Sequence, residues 1–79
     1  MTIYTEILSY PDGSTQETQT HLGINRIVDL NGFPLSLPLP TVKMIAYRVC
    51  KITREESRAE NITYYHLELV RREEMLEYV

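Results

Sequence analysis

With 79 residues the chain has room for one domain, 1–79, and its lone cysteine, Cys50, excludes an intrachain disulfide. The apolar share of 43% and charged share of 24% match an ordinary globular protein, and no apolar run approaches the roughly 18 residues of a transmembrane helix. A net charge of −3 argues mildly against a protein devoted to nucleic acid.

The charge is unevenly spread. Residues 1–42 carry Glu6, Asp12, Glu17 and Asp29 against Arg26 alone, whereas residues 43–72 hold seven bases against four acids. Glu73, Glu74 and Glu77 make the tail acidic again. The start, Met1 to Glu6, has neither the basic nor the long apolar segment of a secretory leader. With one cysteine, this makes the cytoplasm the expected compartment.

In chain order, Thr2 to Tyr10 alternates β-branched and aromatic residues and predicts a strand. Pro11-Asp12-Gly13-Ser14 stops it with turn chemistry: a preset φ, a side chain that bonds its own backbone, and a glycine free to take positive φ. Thr15 to Leu22, rich in Thr and Gln, fits an exposed edge strand or a loop. Arg26 to Leu30 reads as a short strand. Asn31-Gly32 after it signals a type I′ hairpin turn. Phe33 to Pro40 contains three prolines, which forbid a helix and leave an extended edge or strap with Leu35, Leu37 and Leu39 on one side.

Residues 42–60 admit two readings. At helical spacing Val42, Ile45, Ala46, Val49, Cys50, Ile52 and Thr53 fill one arc, with Thr41 placed to cap it. As a strand, both faces are half apolar. Composition favours the strand, because Val, Ile, Tyr and Thr are weak helix formers. Ile62 to Val70 is plainly a strand with Tyr65, Leu67 and Leu69 inward, and 42–53 is its nearest β-rich neighbour. Met75, Leu76 and Val79 lie at helical spacing and suggest a short helix over 71–79. The expectation is a mainly β domain of about five strands, a small barrel or curved antiparallel sheet with a short C-terminal helix. The alternative is an α+β layout with a helix at 42–58 packed on a sheet.

Enzyme motifs are missing: three glycines make neither a P-loop nor G-x-G-x-x-G, and there is no G-x-S-x-G elbow. His21, Cys50 and His66 lack metal-ligand spacing, so no metal and no cofactor is expected. Cys50 and His66 would form a thiolate–imidazole pair only if their strands aligned, which is a thin basis for catalysis. A non-enzymatic reading is preferred. Six tyrosines against one Phe and no Trp suit a surface apolar on one side and wet on the other.

If 42–53 pairs with 62–70, then Ile45, Tyr47, Val49, Ile62, Tyr64 and Val70 are expected to form an exposed patch. That patch points to a protein-interaction module, self-associating or holding another protein. The alternative is single-stranded nucleic-acid binding by a small barrel, with Lys43, Arg48, Lys51, Arg54 and Arg58 around the tyrosines. The interspersed glutamates disfavour it.

Overall fold

Period-two alternation is realised along β1 (Ile3–Ser9), which turns through Tyr10–Ser14 into β2 (Thr15–Thr18). β3 (Ile27–Asp29), β4 (Ala46–Glu56) and β5 (Glu60–Leu69) follow, then one helical turn, α1 (Arg72–Met75). The computed structural model describes residues 2–41 and 43–79; Met1 and Val42, which entered the leader and helix readings, lie outside them. The strands form one five-stranded sheet in the order β2-β1-β5-β4-β3, curved into a half-barrel.

Residues 46–56 are extended, as composition favoured, and β4 and β5 form a long antiparallel hairpin. The expected all-antiparallel pairing needs one correction. β1 runs parallel to β5 from Ile3↔Glu60 to Ser9↔His66, so the sheet is mixed. Local turns fix only hairpins, and the β1–β5 pairing joins opposite ends of the chain.

The register sorts the side chains onto two faces. Tyr4, Glu6 and Leu8 share a face with Asn61, Thr63, Tyr65 and Leu67. In β4 the pairing shifts between Val49 and Lys51, leaving Cys50 as an extra, exposed residue. This bulge resets the parity. Val49 opposes Leu67 and Ile52 opposes Tyr65, so both point to the concave face although three positions separate them.

The concave core contains Leu8, Leu22, Val28, Val49, Tyr65 and Leu67, with Tyr10, Tyr47 and Ile52 packed against it. Leu69, expected inward, is 53% exposed beyond its end. Tyr10 and Tyr47 meet edge to face at 5.2 Å between ring centroids. Because β2 and β3 are opposite edges, residues 19–26 must cross the sheet, about four strand spacings of 4.8 Å. They bring Leu22 into the core on the way. The crossing ends by pairing with β4: Asn25 N donates to Val49 O at 2.8 Å, and Val49 N to Arg26 O at 3.0 Å.

A second cluster lies on the convex face at the β3 end: Ile27, Ala46, Val70 and Met75, with Leu35, Met44 and Tyr78 partly buried beside it. α1 and the proline-rich strap supply its cover. In the strap Leu39 is buried, Leu35 half-buried and Leu37 55% exposed, so the three leucines do not share one side.

The turn after β3 also differs from the type I′ expectation. Gly32 has φ +86, but neither Leu30 nor Asn31 has positive φ. Gly32 N donates to Asp29 O and Asp29 N to Phe33 O, the pattern of a three-residue loop closed by a left-handed glycine. The Asp29 carboxylate accepts from Asn31 N and Phe33 N, at 2.8 and 2.9 Å, and stabilises this form.

Gly32 is buried, and a Cβ there would collide with the Cδ1 of Leu8. Gly13 has the similar φ of +90 with open space around it. Gly13→Ala should therefore cost about 1 kcal/mol, the left-handed penalty alone, and Gly32→Ala about 2–4 kcal/mol once overpacking is added. Chemical denaturation of the two variants measures the difference, and equal losses would mean that Leu8 yields freely.

Candidate functional site

Three rows cross the concave face from β1 through β5 to β4. The first, Leu8–Tyr65–Ile52, belongs to the apolar core. The second is Glu6–Thr63–Arg54 and the third Tyr4–Asn61–Glu56. Moving along the strands, the inward face changes from apolar to polar while the sheet keeps its curvature. The polar rows bound an open groove of about 580 Å³, whose β2 side and rim include Thr18, Gln19, Glu17 and His21. That volume falls in the range of small-molecule sites, about 300–1,000 Å³.

The boundary between core and groove is a hydrogen-bonded knot. The Tyr65 hydroxyl donates to Glu6 Oε1 at 2.7 Å, and His21 Nδ1 lies 2.7 Å from the same oxygen and 3.3 Å from the tyrosine oxygen. Burial first, then the Glu6 carboxylate, pushes the Tyr65 hydroxyl above its ordinary value of 10.0, so it remains a donor at neutral pH. The knot ties the 19–26 crossing to β1 and β5. Farther out, Arg54 and Glu56 have no ion-pair partner among the described residues.

On the convex face, Ile3 is 58% exposed, and Ile7, Ile62 and Tyr64 are half-buried. Register places Ile7 beside Tyr64 and Thr5 beside Ile62, so the four apolar groups form one cluster on the β1–β5 pair. Tyr64 stacks on His66, whose Nε2 lies 2.8 Å from Thr53 Oγ1. Lys51, Thr53 and Glu55 border the cluster along β4.

The expected six-residue patch is not a single surface. Val49 and Val70 are buried in different clusters, and Tyr47 packs against the concave core. Ile45 is 50% exposed outside the strands, leaving Ile62 and Tyr64 on the convex face. The cause is the bulge, which puts Tyr47 and Val49 on the concave face, together with the second core, which buries Val70. Ile3 and Ile7 were missed because their joining to Ile62 and Tyr64 depends on the long-range β1–β5 pairing.

The five basic residues are likewise dispersed. Arg54 lines the groove, Lys51 borders the convex cluster, Arg58 sits in the β4–β5 turn and Lys43 lies before β4. Arg48 is a structural clamp. Its Nε donates to Glu68 at 2.7 Å, Nη2 lies 2.8 Å from Glu74, and Nη1 donates to the Tyr78 hydroxyl at 3.2 Å. Cys50 Sγ donates to the backbone carbonyl of His66, not to its imidazole, which is turned toward Thr53. The thiolate–imidazole pair therefore does not form. Among the described residues no three His, Cys, Asp or Glu side chains converge as a metal site, and no helix is long and apolar enough to cross a membrane.

Fold and site together define a small mixed-β half-barrel with a polar concave groove and an apolar convex cluster. The chain belongs to the family described as "Uncharacterised Treponema protein", whose model matches residues 2–78. No curated protein and no solved structure matches the chain.

The Arg48 clamp has a pH signature. Hydrogen bonding from Arg48 holds the Glu74 carboxyl below its ordinary 4.5, so its stabilisation is complete above that value and is lost as pH falls through the lower folded one. Arg48→Met should lower the melting temperature at pH 7 by several degrees, leaving Glu68 and Glu74 without their counterion. The gap to the parent should narrow below pH 4.5. Thermal melts from pH 3 to 7 test this, and a gap constant with pH would remove the ion pair from the account.

Proposed function

We propose that this protein is a non-enzymatic interaction module that pairs with a second copy of itself through the convex face of the sheet. The observation that carries this reading is the Ile3, Ile7, Ile62 and Tyr64 cluster on β1 and β5, with Ile3 exposed and the other three half-buried, while α1 and the strap cover the β3 end of the same face. Sheets pack face to face through such surfaces. A 79-residue domain with two small cores also has much to gain from extra apolar burial.

Charge favours a second copy over an unrelated partner. Lys51 and His66 lie toward one end of the cluster, Glu55 and Glu60 toward the other. A two-fold axis in the interface, perpendicular to the strands, sets the basic end of one copy over the acidic end of its mate. A cytoplasmic location fits this reading, since an exposed Cys50 beside the cluster stays reduced there.

Light scattering on the eluting protein at about 100 µM should give twice the chain mass. Ile3→Asp and Ile62→Lys should shift it to monomer while circular dichroism stays unchanged. Lys51→Glu or Glu55→Lys alone should weaken the dimer, and the double exchange should restore it. A monomeric parent, or a dimer indifferent to both apolar substitutions, overturns the proposal.

A further inference from the structure

The polar groove is independent of the convex face and has a chemistry of its own. A half-barrel of this size gains stability from every apolar group on its concave face, yet the second and third rows there are Glu6–Thr63–Arg54 and Tyr4–Asn61–Glu56. Their side chains leave a groove of about 580 Å³ empty instead of filling it. Arg54 and Glu56, two positions apart on one strand and on one face, offer opposite charges with no ion-pair partner among the described residues. Two successive same-face positions are about 7 Å apart, so a single small molecule can reach both. Glu6 is already engaged by His21 and Tyr65, which fixes the floor. The Tyr4 side, with the residue 75% exposed, adds an aromatic wall.

We propose that this groove binds a basic amino acid, free or as the C-terminal residue of a peptide. The ligand's carboxylate takes the Arg54 guanidinium in the two-pronged geometry that arginine offers. Its cationic groups lie toward the Glu56 carboxylate, which has no ion-pair partner among the described residues. The aliphatic stem and a cationic end lie along Tyr4, whose ring face attracts positive charge. A ligand lacking the carboxylate would leave Arg54 facing another cation. A purely acidic ligand would meet Glu56.

Nuclear magnetic resonance titration of the full chain with L-arginine, agmatine, glycyl-L-arginine and L-glutamate tests this. L-Arginine should bind saturably below about 10 mM, moving the amides of Tyr4, Arg54, Asn61 and Thr63. Agmatine, which has the same guanidinium without the carboxylate, should bind about fivefold more weakly, the upper range for a solvent-facing ion pair. L-Glutamate should be weaker still. Arg54→Gln should erase the difference between arginine and agmatine, and Glu56→Gln should weaken both. Tighter binding of glycyl-L-arginine than of arginine assigns the groove to peptide ends, and the reverse order assigns it to the free amino acid. No saturable shift, or agmatine binding as tightly as arginine, overturns the proposal. That comparison needs only the parent protein and stands if either variant fails to fold.

Discussion

One extra residue in β4 determines what each face of the sheet presents. The bulge at Cys50 lets Val49 and Ile52, an odd number of positions apart, both meet the concave core. Strict alternation from Val49 would have turned Ile52 to the convex side and Thr53 inward. After the bulge, Arg54 and Glu56 follow Ile52 onto the concave face, while Lys51, Thr53 and Glu55 are left on the convex one. The groove's charges and the polar border of the convex cluster have this same origin. A bulge also bends its strand and raises the local twist, which favours a half-barrel over a flat sheet.

β4 also joins the two cores. Ala46 belongs to the convex cluster and Val49 to the concave one, with Arg48 between them on the convex side. Arg48 closes the second cluster by holding Glu68 of β5, Glu74 of α1 and Tyr78 near the C-terminus. A one-turn helix is too short to persist through its own hydrogen bonds. Met75 in the cluster and the Arg48–Glu74 pair hold it in place. The Leu39 amide, which donates to Tyr78 O at 2.6 Å, ties the strap to the same segment.

The legible parts of the fold were those set by neighbours in sequence. Alternation in Thr2–Tyr10 and Ile62–Val70, the Pro-Asp-Gly-Ser turn and the polar edge at Thr15–Thr18 follow from propensity and turn chemistry. The weak helical composition of 42–53 pointed to a strand, which the structure forms from Ala46 onward, with residues 43–45 before it irregular. The parallel β1–β5 pair was hidden because no local signal links residues almost sixty positions apart. Cys50-Lys51 carries no glycine to announce a bulge, and an unrecognised bulge reverses every facing assignment beyond it. That reversal, with burial of Val49 and Val70, is why the six residues expected on one surface are divided. The groove residues had a visible trace: Glu6 and Thr63 share parity with Leu8 and Tyr65, a polar interruption of otherwise apolar faces. Only the pairing of their strands turns that interruption into a site.

The concave face poses a choice between stability and a cavity. A leucine at any of Glu6, Arg54 or Glu56 that became fully buried would contribute about 1.5–3 kcal/mol, a large share of a small domain's total stability. The chain instead places a carboxylate, a guanidinium and a second carboxylate there, and ties the first to Tyr65 and His21 so that the core beneath keeps its polar boundary satisfied. Departures from what folding alone favours concentrate where a protein acts on something else. The convex cluster is the opposite departure, an exposed Ile3 beside the half-buried Ile7, Ile62 and Tyr64 with no apolar cover among the described residues. Both lie along the same β1–β5 pair, on opposite faces of it. The parallel pairing that was least visible in the sequence therefore builds both the groove and the convex cluster.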